Sequence, residues 1–175
     1  MKRLLLFRHA KAERETADDH KRGLEKRGET DAVRMGRFLR ADAYIPDLVL
    51  CSTARRTRLT VDFLLPELGA SPKVEYSSEL YLAEPEAIAA LVRSAPDKCG
   101  VLMIVGHNPG LEQLALGLAA VPLEKKLRKR YGAMDEKFPT CALAVIDFAV
   151  DRWADVTPGS GDLEAFVRPK DLDEG

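Results

Sequence analysis

The sequence predicts an α/β fold of three layers, with helices on both faces of a mainly parallel central sheet. Three observations carry that expectation. Short, nearly continuous apolar runs recur along the chain, as in strands buried on both faces. Segments with apolar residues at helical spacing lie between them, and this alternation favours parallel strands joined by helical crossovers. The 175 residues, 46% hydrophobic and 31% charged, suffice for a sizeable core and a solvated surface. One domain spanning residues 1–175 is expected, with no internal repeat or low-complexity linker.

The elements follow in order. Arg3–Phe7 comes after a basic opening, but its apolar part is only Leu4–Phe7. That is too short for the apolar segment of a signal peptide, so the run reads as a strand. Gly28–Arg40 puts Ala32, Met35 and Leu39 on one helical stripe. Asp47–Cys51 reads as the second strand. Ser52–Leu65 reads as a helix carrying Ala54, Val61, Leu64 and Leu65, with Ser52 expected at its N-cap. Lys73–Tyr76 is a further short strand. Pro85–Ala95 has Ile88, Leu91 and Val92 at helical spacing, and Pro85 suits a first turn. Gly100–Val105 is a strand, Pro109–Ala120 a helix with Leu111, Leu114, Ala115 and Leu118 inward, and Thr140–Phe148 a strand. Trp153–Thr157 and Leu163–Val167 flank a Pro-Gly-Ser-Gly turn and read as a short hairpin or edge element, with Trp153 packing the tail on the core.

Charge and composition exclude several functions. Lys plus Arg number 27 against 28 Asp plus Glu, so the net charge of −1 gives no global field for nucleic acid or an anionic membrane. Any anion site must be local. The basic run Lys125–Arg130 is therefore expected on a solvated loop or helix face, with steering of an acidic partner domain as the alternative. No apolar stretch approaches the ~20 residues of a membrane span. Cys51, Cys99 and Cys141 are far apart in apolar contexts and read as buried thiols of a cytoplasmic protein. No His/Cys spacing suggests a metal site.

In open α/β sheets, sites form beyond the carboxyl ends of the strands. Arg8 and His9 follow the first strand. Ser52-Thr53-Ala54-Arg55-Arg56 follows the second, and Gly106-His107-Asn108-Pro109-Gly110 follows Gly100–Val105. Two of the three histidines and up to three arginines thus reach one edge of the sheet. Arginine pairs bidentately with phosphate oxygens, a neutral imidazole is a nucleophile toward phosphorus, and helix N-termini add backbone donors. Gly110 is expected to let its backbone approach the anion. His20, among Asp18, Asp19, Lys21 and Arg22, reads as an exposed loop residue or a group at the pocket rim.

With these motifs the sequence resembles the histidine phosphatase superfamily, of phosphoglycerate-mutase-like fold, and within it the short SixA-type phosphohistidine phosphatases. The likeness runs through Leu4–Glu13, Asp19-x-x-Arg22-x-Leu24-x-x-x-Gly28, Ser52-x-Ala54-x-Arg56-x-x-x-Thr60, Val105–Gly110 and Phe138-Pro139-Thr140. It implies that His9 is the transiently phosphorylated nucleophile. Arg8, Arg56 and His107 would hold the phosphoryl oxygens, and Arg22 would be a further phosphate ligand. The spacing Ser-x-x-x-Arg selects Arg56 over Arg55. The interval from Arg56 to His107 leaves no room for a large lid domain, the His and Arg cluster suits phosphoryl chemistry without a metal or cofactor, and a monomer is expected. The resemblance implies a phosphorylated protein partner such as a histidine-phosphotransfer domain or phosphocarrier protein.

The sequence departs from the family pattern at Ala10, Glu25, Thr53 and Leu59, none of which is a phosphate ligand. It also departs at the general acid, where larger members carry Glu and alignment places Leu82. Glu79, Glu84, Asp18 and Asp19 are the remaining candidates. An alkoxide leaving group needs a proton, and general acid help is worth about 10²–10⁴-fold. Imidazole, with a pKa of about 6.5, leaves far more easily. A site without a placed acid therefore suits phosphohistidine better than a sugar phosphate. A small-molecule phosphomonoesterase of the same superfamily, a mutase-like member and a non-catalytic phosphate-binding module are the alternatives.

Overall fold

The computed structural model describes residues 1–14 and 17–172. Its six strands are β1 (Lys2–Arg8), β2 (Leu48–Ser52), β3 (Lys73–Ser77), β4 (Val101–Gly106), β5 (Leu143–Phe148) and β6 (Asp162–Val167), in spatial order β3-β2-β4-β1-β5-β6. The pairs β3/β2, β2/β4 and β4/β1 are parallel, whereas β1/β5 and β5/β6 are antiparallel. Only β5 therefore opposes the common direction, and the sheet is mainly parallel as expected.

Alternation along each strand feeds two cores. Leu4 and Leu6 of β1 face one cluster together with α3 (Pro85–Arg93), α4 (Gly110–Leu118) and Met134 of α5 (Lys125–Glu136). Leu5 and Phe7 face the other, with Ala32, Met35 and Leu39 of α1 (Lys26–Ala41) and Val61 and Leu64 of α2 (Arg55–Leu64). Apolar residues on both pleats explain why the strands read as continuous runs. Among the described residues, no helix is long and apolar enough to cross a membrane. The three cysteines are buried and unpaired.

Three local expectations are corrected. Ser52 is the last residue of β2 and does not cap α2; Ala54 is the N-cap, without a side-chain bond, and Ser52 is turned toward His107. Thr140–Ala142 lies outside β5, because the Cys141 N–H is drawn to the carbonyls of Arg8 and His9 at 3.1 and 2.9 Å. In the tail, Trp153–Asp155 is a 3₁₀ turn, and β6 pairs with β5 as the edge strand. The segment between them cannot form a tight hairpin because it bonds the end of α4. Gly159 N–H reaches Gly117 O at 2.8 Å, and Gly161 N–H reaches Leu118 O at 2.9 Å. Trp153 is fully buried, as expected, and its indole N–H donates to Cys99 O at 2.7 Å.

Candidate active site

Strand register sets the site. Arg8 of β1 pairs with Gly106 of β4, and Cys51 of β2 pairs with Val105, so all three strands end at one level. His9, Ser52 and His107 emerge side by side there. The His9 and His107 ring centroids are 5.4 Å apart, and both rings are buried.

His9 Nδ1 lies 2.8 Å from the Ala10 carbonyl oxygen. A carbonyl only accepts, so Nδ1 carries the proton and Nε2 keeps its lone pair. The backbone of Ala10 is held in turn: its N–H donates to Thr60 Oγ1 at 3.0 Å, and that hydroxyl donates to Arg56 O at 2.7 Å. Burial, reinforced by the charges of Arg8, Arg56 and Arg22, pushes the His9 pKa down to about 3, against the pull of the Ala10 bond. His9 is thus a neutral imidazole with a free Nε2.

His107 Nε2 sits 2.8 Å from Ser52 Oγ. Ser52 Oγ also accepts from the Ala54 N–H at 3.3 Å and can give its own proton to Nε2. In that tautomer His107 carries its proton on Nδ1, an atom that is buried with no partner among the described residues. Burial is the main reason its pKa also falls to about 3, with His9, Arg56 and Arg8 adding to the shift and Asp19 opposing it.

The arginines are anchored from behind. Arg8 Nη1 donates to Phe138 O at 3.0 Å, a carbonyl shared with Asn108 Nδ2 at 2.8 Å. Arg56, only 2% exposed, donates to Asp19 O at 2.9 Å and to Asp19 Oδ2 at 3.1 Å. Arg22 donates to Glu13 O at 3.2 Å and to Asp19 Oδ1 at 3.1 Å. The Nε atoms of all three are buried without an acceptor among the described residues. Four unmet buried nitrogens around one imidazole are unusual in a protein interior and suit a tetrahedral oxyanion. Arg55 is exposed and donates to Lys21 O at 3.4 Å.

Of the four acid candidates, the structure brings one into contact with the arginines. Glu79 lies exposed in the 3₁₀ turn Ser78–Leu80, and Glu84 is exposed at the N-cap of α3. Asp18 is exposed and pairs with Lys21 at 3.7 Å. Asp19 joins Arg22, Arg56 and the hydroxyl of Tyr81, which donates to Oδ2. That bond from Tyr81 and the two arginines hold the Asp19 carboxyl below the usual range. It is a carboxylate without a proton to give. Leu82, where the family acid would align, is 54% exposed with φ of 50°.

Tyr81 is the site residue that sequence reasoning missed. Its ring meets His107 edge-on at 5.6 Å and His20 at 4.9 Å, with the Arg56 guanidinium 5.9 Å from its centroid. The available signal was an aromatic residue just beyond β3. His20 is half-buried at the rim, held by Thr53 Oγ1 at 3.0 Å. Gly110 makes its close approach to protein rather than to an anion: a Cβ there would collide with the Ala83 carbonyl oxygen. Among the described residues, no three His, Cys, Asp or Glu side chains converge as metal ligands would.

The strand order is that of the phosphoglycerate-mutase-like fold, and the chain is similar in structure to phosphatases of the histidine phosphatase superfamily. Within that superfamily it is similar to the SixA group. It superposes with TM-score 0.80 on a Nakamurella multipartitia chain carrying the name phosphohistidine phosphatase SixA, at 29% identity over 96% of each chain. A chain of the same name from Agrobacterium tumefaciens gives 0.78 at 29% identity, covering 96% of this chain and 98% of that one. The Mycobacterium tuberculosis protein Rv1276c, whose name assigns no function, is 37% identical over 166 residues, 94% of this chain and all of its own length. No family model matches the chain.

Proposed function

We propose that the chain removes phosphate from phosphohistidine on a protein partner through a phosphoenzyme at His9 Nε2. The observation that carries this reading is the fixed tautomer of a neutral His9, encircled by the unmet donors of Arg8, Arg22, Arg56 and His107. The substrate ring takes a proton from solvent on its free nitrogen, Nε2 attacks phosphorus, and the P–N bond breaks so that neutral imidazole leaves. Water then cleaves the His9–phosphorus bond, releasing inorganic phosphate and restoring neutral His9. The arginines and His107 Nδ1–H neutralise charge on the transferring phosphoryl group, so no step calls for a metal. The Ala10 carbonyl stabilises the positive charge that His9 acquires when phosphorylated.

Substrate choice follows from proton supply. The carboxylate bonded to Arg22 and Arg56 is Asp19, and its ionised state makes it a poor acid for an alkoxide leaving group. Partners of this chemistry include histidine-phosphotransfer domains and phosphocarrier proteins, met by a monomer in the cytoplasm. The test compares kcat/KM for a phosphohistidine peptide, a phosphoserine peptide and a sugar phosphate. Phosphohistidine is expected to lead by about 10²-fold or more, the worth of the missing acid. Equal values would show a small-molecule or general phosphomonoesterase, and binding without turnover would show a phosphate-binding module.

A further inference from the structure

A second charged feature lies just beyond the phosphate cradle. A cavity of about 280 Å³ is lined by the cations Arg27, Lys137, Arg168 and Lys170 against the carboxylates Asp31 and Glu136. These residues come from the N-terminus of α1, the end of α5 and the turn after β6. Asp31 is already neutralised, with Arg34 at 3.3 Å and Arg27 at 3.8 Å. Arg168 is held by Asp171 at 2.8 Å. Lys137 and Lys170 are exposed and make no ion pair or side-chain hydrogen bond among the described residues. On a chain of net charge −1, this is a local positive surface, in which Lys170 acts on the Asp171 carboxylate and Glu136 on Arg168.

Its position ties it to the site. The segment Phe138–Cys141 separates cavity from cradle and serves both. The Phe138 carbonyl holds Arg8 and Asn108, and the Cys141 N–H holds the carbonyl of His9. Between them, Pro139 and Thr140 line the cavity. A chain segment resting in the cavity is therefore next to the group being dephosphorylated.

We propose that this cavity is a docking site for an acidic segment of the phosphorylated protein, carboxylates of the partner pairing with Lys137 and Lys170 while its phosphohistidine enters the cradle. The inference rests on the reading of the chain as a phosphohistidine phosphatase and adds the charge class of its substrate. The cavity is smaller than the ~300–1,000 Å³ of sites that enclose small molecules. Long, solvated lysines suit orientation of a charged protein surface better than capture of a free anion. Arg27 and Arg168, committed to Asp31 and Asp171, frame the cavity.

The test uses three phosphohistidine peptides that differ only in flanking residues, which are glutamate, serine or lysine, and phosphoramidate as a substrate too small to reach the cavity. With the full chain, kcat/KM should fall from glutamate to serine to lysine flanks by about tenfold overall, mainly through KM, and the order should collapse at high salt. Lys137→Glu with Lys170→Glu should reverse the order and leave phosphoramidate turnover unchanged. The control Lys125→Glu with Lys126→Glu, on exposed α5, should preserve it.

An absent flank preference, or one untouched by the cavity variant, overturns the docking site. So does one moved equally by the control. If citrate bound in the cavity alters phosphoramidate turnover, the cavity is an effector site and the proposal falls. Fluorescence anisotropy of the unphosphorylated peptides separates the two readings. Cavity-dependent binding of the glutamate peptide without turnover of any phosphohistidine would leave docking standing and overturn the proposed function. Its absence alongside turnover would do the reverse.

Discussion

The buried pair His9 and His107 makes the stability of this protein depend on pH in a specific window. Each is held neutral by burial, with its pKa pushed down to about 3. In the unfolded chain an imidazole titrates near 6.5, so only the unfolded state gains protons between about 6.5 and 3. The stability is fully present above 6.5 and is lost as pH falls toward 3. Each histidine costs up to about 1.4 kcal/mol per pH unit, and the pair about 3 kcal/mol on going from pH 6.5 to 5. Urea midpoints at pH 7, 6 and 5 measure the total, which includes carboxylates. The variant His9→Asn isolates one histidine and should remove about 2 kcal/mol of the loss by pH 5. The function depends on the same shift: at pH 5 an ordinary imidazole is about 3% neutral, whereas one at about 3 is about 99% neutral. NMR of the imidazole signals in a His20→Asn background reads it directly. A midpoint near 6.5 for His9, or a pH slope unchanged in His9→Asn, would refute the reasoning.

Three further outcomes follow from the geometry. Arg56→Ala should lower kcat/KM by about 10²–10³-fold, the range for one lost charge-stabilising donor, while the neighbouring Arg55→Ala changes it less than about threefold. Ser52→Ala leaves His107 Nε2 buried without its partner; steady-state kinetics should show a lower kcat, and urea melts a loss of about 1–3 kcal/mol. Gly110→Ala forces a methyl into the Ala83 carbonyl and should destabilise by about 1–3 kcal/mol or more, measurable by thermal unfolding.

The fold was legible because both faces of β1, β2, β4 and β5 are covered, so their sequences are unbroken apolar runs. Arg8, His9, Arg56 and His107 were legible for a related reason: each stands within a few residues of a strand end, and parallel register brings those ends to one level. Arg22 follows no strand and was reached only through the resemblance; its place depends on Glu13 O and Asp19. Tyr81 escaped because the search there was for a carboxylate, while the 3₁₀ turn after β3 delivers an aromatic ring whose hydroxyl holds Asp19. The role of Phe138 is carried by its carbonyl, which no side-chain pattern encodes. Ser52 looked like a cap because its spacing to α2 fits, but the β2 end turns its hydroxyl to His107 instead. The cavity between α1, α5 and the turn after β6 gathers residues from three distant segments, so no local motif announced it.

Trapping the phosphoenzyme tests the central claim most directly. Rapid mixing with a ³²P-labelled phosphohistidine peptide, followed by an alkaline quench that preserves phosphohistidine, should place label on His9 within the first turnover. The variant His9→Ala should carry none and lose turnover, while retaining vanadate binding through Arg8, Arg22 and Arg56. Label on another residue, or turnover undiminished in His9→Ala, would contradict the assignment of His9 Nε2 as the nucleophile.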